Sequence, residues 1–127
     1  MRTIRVIIAG SRDFNDYEII KEETGTFLLH LAHTEKLTAD DEIIIVSGGA
    51  RGADKLGERY AKEHGYHCEI HPANWSVGRQ AGILRNITMA KISQACIVFN
   101  VGNSKGSRHM FDYAVKQGLF AKEIKCF

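Results

Sequence analysis

The chain has 127 residues, 44% of them hydrophobic and 25% charged, with a formal net charge of +2. This is ordinary for one globular domain, here read as spanning 1–127, large enough to bury a core without disulfide or metal staples. The small net charge excludes indiscriminate nucleic-acid binding through bulk electrostatics, and no apolar run approaches the roughly 20 residues that cross a bilayer.

Ile4 to Ala9 is a short apolar run rich in β-branched residues, closed by Gly10-Ser11-Arg12, which predicts a buried first strand. Asn15 or Asp16 supplies an N-cap, with Glu18 placed as in a capping box. Tyr17, Ile20, Thr24, Phe27, Leu28 and Leu31 then recur at helical spacing, predicting a helix from Asp16 to Lys36 with Gly25 as a mild internal defect. Glu42 to Ser47 is a second strand, Gly52 to His64 a helix stopped by Gly65, and Tyr66 to His71 a third, more polar strand ended by Pro72. A loop from Ala73 to Val77 with the only tryptophan leads into a helix from Gly78 to Ser93. Ala95 to Asn100 is a fourth buried strand, Ser107 to Gln117 a helix, and Lys122 to Cys126 a last strand.

Strands alternating with helices, most of them continuous apolar runs, predict a parallel sheet of about five strands with helices on both faces. With right-handed crossovers this α/β chain becomes a three-layer Rossmann-like sandwich. Met1-Arg2-Thr3-Ile4 enters a strand pattern rather than a secretory signal. The odd set Cys68, Cys96 and Cys126 lacks the paired spacing of a disulfide framework or zinc site. A cytoplasmic protein with buried thiols is expected.

In such a sheet every strand-to-helix turn lies at the carboxyl edge, where ligands of open α/β proteins bind. There the first turn brings Gly10, Ser11 and Arg12; the second brings Ser47, Gly48, Gly49, Arg51 and Asp54. The third brings Trp75, Gly78 and Arg79, and the fourth Asn100, Gly102, Lys105, Gly106, Ser107 and Arg108. A reversal of strand order between the first and fourth strands would make their turns frame a crevice. Glycine turns admit a ligand to main-chain N–H groups, helix N-termini favour anions, and guanidinium groups match phosphate bidentately. Neither a Walker A loop nor a G-x-G-x-x-G fingerprint is present, which disfavours a conventional ATPase or a nicotinamide-dependent dehydrogenase. In the helix after Gly78, Arg85 and Asn86 face either solvent or the crevice, where they would bind phosphate, ribose or base edges.

Gly10-Ser11-Arg12-Asp13-Phe14, Gly48-Gly49-Ala50-Arg51-Gly52-Ala53-Asp54, Trp75 with Gly78, Ala81-Gly82 with Arg85-Asn86 and Met89, and Lys105-Gly106-Ser107 follow one another in a recognisable order. In this the chain resembles, over about residues 4 to 118, the YspA-like family of the SLOG superfamily. That superfamily is similar in fold to the LONELY GUY phosphoribohydrolases and to the DNA-processing protein A. The resemblance implies a Rossmann-like domain for nucleotides or nucleotide-derived ligands. It also implies a departure. The phosphoribohydrolases carry a proline-glycine-glycine turn, a glycine-threonine pair and a catalytic glutamate three positions on; here stand Val101-Gly102-Asn103, Gly106-Ser107 and Met110. Hydrolysis would then fall to Asp54, His109 or Asp112, none singled out by spacing.

The expected function is therefore the sensing or processing of a nucleotide-derived small molecule such as an ADP-ribose-like ligand. Cleavage of a nucleotide N-glycosidic bond is the enzymatic alternative. Binding of single-stranded DNA, by analogy with DNA-processing protein A, is least supported, because interleaved aromatics are missing. No metal, cofactor or membrane is called for, while an apolar helix surface is compatible with a homodimer. His30 and His33 lack a third metal ligand, and His67 and His71 are roughly 13 Å apart on a strand. Trp75 either stacks on a base or anchors its loop, and Asp54 either contacts ribose or complements its own helix N-terminus and pairs with Arg51.

Overall fold

The structure, a computed structural model, describes residues 1–126. Five strands, β1 (Thr3–Gly10), β2 (Glu42–Ser47), β3 (His67–Ile70), β4 (Ala95–Val101) and β5 (Phe120–Cys126), form one sheet in the order β3-β2-β1-β4-β5. All the pairings are parallel. Four α-helices join them, α1 (Tyr17–Thr34), α2 (Ala53–Glu63), α3 (Ala81–Ile92) and α4 (Lys105–Lys116), with a 3-10 turn at Trp75–Val77.

Alternation along β1 decides the layers. Ile4, Val6 and Ile8 point to the side of Tyr17, Ile20, Phe27 and Leu31 of α1 and of Tyr60 and Ala61 of α2. Ile7 and Ala9 point to the other side, where Met89 and Ala90 of α3 meet Met110 and Ala114 of α4. This is the expected three-layer Rossmann-like architecture. The strand order reverses between β1 and β4, so a switch point lies between the first and fourth turns.

Several boundaries differ from expectation for local reasons. Asp16 rather than Asn15 caps α1, accepting from the Ile19 N–H at 3.3 Å, and the helix passes through Gly25 unbroken because its apolar stripe is buried on both sides of it. Helix α3 begins at Ala81, not Gly78, because the Trp75–Val77 turn stops at Gly78, whose φ of 94° no α-helix continues. Helix α4 begins at Lys105, since Ser104 caps it by accepting from the Ser107 N–H at 3.3 Å. Strand β5 starts at Phe120 rather than Lys122, as Phe120 already pairs with Ala95. Strand β3 is an edge, as its polar residues suggest. Among the described residues no helix is long and apolar enough to cross a membrane.

Candidate functional site

Between the carboxyl ends of β1 and β4 opens a cleft of about 520 Å³. An adjoining hollow of about 580 Å³ lies toward β3, and the two share Arg12, Ala50, Arg51, Trp75 and Arg85 as a common wall.

The first wall is built by close approach. Ser11 N–H donates to the Phe99 oxygen at 3.0 Å, and a Cβ on Gly10 would collide with that oxygen and come within 2.7 Å of Ala53 Cβ. Glycine is thus what lets β1, β4 and the start of α2 meet here. The Ser11 hydroxyl accepts from Val101 N–H at 2.8 Å and lies 3.3 Å from Asn100 Oδ1 and 3.4 Å from Ser107 Oγ. It stitches the first turn to the fourth at the base of the cleft.

The second wall is the turn after β2. Asp54, 3% exposed, accepts from Ala50 N–H at 3.2 Å. Burial pushes its carboxyl up, against the pull of the Arg85 guanidinium and the Ala50 N–H, to about 6. Arg85 reaches across from α3 and donates to the Gly48 oxygen at 2.6 Å and to Asn86 Oδ1 at 3.1 Å. Its own burial lowers its pKa, with Asp54 opposing and Arg12 reinforcing the shift.

Four arginines, Arg12, Arg51, Arg79 and Arg85, line the cleft against two carboxylates, Asp13 and Asp54. Arg51 lies 3.7 Å from Asp13 in an exposed pair, so its partner is not Asp54. Among the described residues Arg12 and Arg79 have no carboxylate within ion-pair distance. Gly106 and Ser107, on the first turn of α4, close the opposite wall, and Met89 and Met110 give the cleft an apolar part. Guanidinium groups without a carboxylate partner beside an apolar patch are chemically able to hold an anion that carries an apolar or aromatic appendage.

Of the residues singled out in sequence, Gly10, Ser11, Arg12, Arg51, Asp54, Arg79, Arg85, Asn86, Gly106 and Ser107 line the cleft. Gly48 and Gly49 line only the adjoining hollow. Ser47 lines neither: fully buried, it donates to the Glu58 carboxylate at 2.7 Å and accepts from Gly49 N–H at 3.1 Å, bracing the turn from behind. His109 also lies outside both spaces, with Nδ1 3.2 Å from Asn86 Nδ2. Asp112 points away, exposed and 3.3 Å from Arg108. Asp54 is therefore the one of the three acid–base candidates that lines the cleft. Ser104 is a cleft residue that sequence reasoning missed, although serine three positions before Ser107 is an N-cap signal. Among the described residues no cluster of metal-binding side chains occurs, and Cys68, Cys96 and Cys126 are free thiols.

The fold and the cleft together define a doubly wound α/β protein with a cationic crevice at its switch point. The model of the YspA, cpYpsA-related SLOG family matches residues 4–78, and the chain belongs to that family. It is also similar to the Gene 61 protein of Mycobacterium phage D29, at 34% identity over 122 residues, covering 91% of each chain.

Proposed function

We propose that the protein binds a nucleotide or nucleotide-derived ligand of the ADP-ribose type, with its phosphate held among Arg12, Arg51 and Arg85 and near Gly106 and Ser107. The observation that carries this reading is the excess of guanidinium groups over carboxylates in one cleft of a nearly neutral chain. Membership of a SLOG family supports a nucleotide-related ligand. Free thiols suit a reducing compartment, and a cytoplasmic location goes with this reading. Thermal denaturation with AMP, ADP-ribose or NAD tests it: the melting temperature rises, and Arg85→Ala removes the gain. No shift with any of these ligands overturns the reading.

One feature supports N-glycosidic cleavage as a second reading. Asp54 is a buried carboxyl held near 6 on the cleft wall, suited to proton transfer near neutrality. Against it stands Met110, 1% exposed, where the related hydrolases carry glutamate, because a thioether transfers no proton. Chromatography of free base released from nucleoside monophosphates separates the readings: base released in proportion to enzyme and abolished in Asp54→Asn favours the hydrolase.

A further inference from the structure

We propose that Trp75 is the platform on which the aromatic base of the ligand stacks, taking the place of the Arg12 guanidinium that now lies over the ring. This rests on the nucleotide reading and names the residue that would recognise the base.

Trp75 is 56% exposed, an expensive placement for the largest apolar side chain. It is the only tryptophan of the chain and, among the described residues, the only aromatic side chain lining either the cleft or the adjoining hollow. It stands on their common wall.

The segment that carries the exposed ring is tied by its own hydrogen bonds. Its main chain sits in a 3-10 turn whose start is tied by the Asn74 side chain, which accepts from Ser76 N–H at 3.2 Å and from the Ser76 hydroxyl at 2.6 Å. Gly78 N–H closes the turn on the Trp75 oxygen at 3.1 Å. The tip of the indole lies over Gly82 of α3, where an added Cβ would be 3.7 Å from Cη2. The ring is thus presented at the mouth rather than folded into the core.

Arg12 lies with Cζ 5.5 Å from the ring centroid. A cation over an indole is a weak contact at an exposed site, and a stacked base is a stronger one. Arg12 also has no carboxylate within ion-pair distance among the described residues, so leaving the ring breaks no salt bridge. Entry of a base frees the guanidinium for the phosphate carried on the ribose of the same nucleotide. One movement then satisfies both ends of a nucleotide.

The test uses the single indole as reporter. AMP, GMP, CMP and UMP are titrated against ribose 5-phosphate, following tryptophan emission in the wild type and, in parallel, heat of binding in the wild type, Trp75→Phe and Trp75→Ala. The expected result is that at least one nucleotide quenches the emission and binds about tenfold or more tightly than ribose 5-phosphate. In Trp75→Ala that advantage falls to about one, and Trp75→Phe retains most of it. If the nucleotides and ribose 5-phosphate bind equally without a change in emission, or if the advantage survives Trp75→Ala, the inference is overturned while the anion cleft stands. If neither these compounds nor ADP-ribose nor NAD binds, the nucleotide reading itself fails and the inference with it.

Discussion

The guanidinium of Arg85 donates through Nη1 to the main-chain oxygen of Gly48 at 2.6 Å. A side chain from α3, on one side of the sheet, thereby fastens the turn that leads into α2 on the other. The contact needs the absence of a side chain at position 48. A Cβ there would collide with the guanidinium and come within 2.8 Å of Asp54 Oδ2.

Gly48→Ala is accordingly expected to push Arg85 off the turn and weaken ligand binding about tenfold or more. Arg85→Lys will not rescue binding, because an ammonium lacks the planar fork that donates to Gly48 and Asn86 together. Isothermal titration with AMP or ADP-ribose checks both variants. Unchanged affinity in Gly48→Ala contradicts the geometry.

Asp54 makes stability depend on pH in a direction opposite to most carboxylates. Its folded pKa, about 6, lies above the ordinary 3.8, so between those values the folded chain holds a proton that the unfolded chain has released. Its contribution is complete below about 3.8 and is lost as the pH rises through about 6. Wild type should therefore lose stability relative to Asp54→Asn between about pH 4 and pH 7, by up to about 3 kcal/mol. Urea denaturation at several pH values measures the difference, and a pH-independent gap would refute the assignment.

Ser11→Ala orphans the Val101 N–H, now satisfied by the hydroxyl at 2.8 Å in a site where Ser11 is buried. The expected loss is about 1–3 kcal/mol of folding free energy. Ser11→Thr, which keeps the hydroxyl, separates the lost hydrogen bond from any other effect. The readout is the midpoint of chemical unfolding.

At position 110 the surroundings are those of a core. Met110→Leu should cost less than about 1.5 kcal/mol, as volume-conserving exchanges do. Met110→Glu buries a carboxyl against Met89 and Ala114 and should cost several-fold more, with the difference shrinking at low pH as the carboxyl protonates. Equal stability of the two variants at neutral pH would show that the site is wetter than its packing indicates.

The layers of the fold were legible because β1, β2 and β4 are unbroken apolar runs and the stripe of α1 repeats at helical spacing. All six stripe residues, Tyr17 through Leu31, are buried. The ends of elements were less legible, since they depend on a single cap: Ser104 for α4, and the Trp75–Val77 turn for α3. In the site, the turns were readable as a collection but side-chain direction was not. Ser47 is the last residue of β2 and turns inward to Glu58, which only the tertiary fold brings near. On α4 the helical period separates Gly106 and Met110, which line the cleft, from His109 and Asp112, which do not.

The wall shared by the two hollows joins residues from separate connections: Arg12 follows β1, Arg51 follows β2, and Trp75 follows β3. On the proposed reading, Arg12 and Arg51 meet the charge of the ligand and Trp75 its ring, from different pieces of chain. On that reading, exchange of residues 72–78 alone retunes which heterocycle is chosen while the sheet and Arg12, Arg51, Arg79 and Arg85 remain as they are. A lineage built on this scaffold can diverge in specificity one loop at a time.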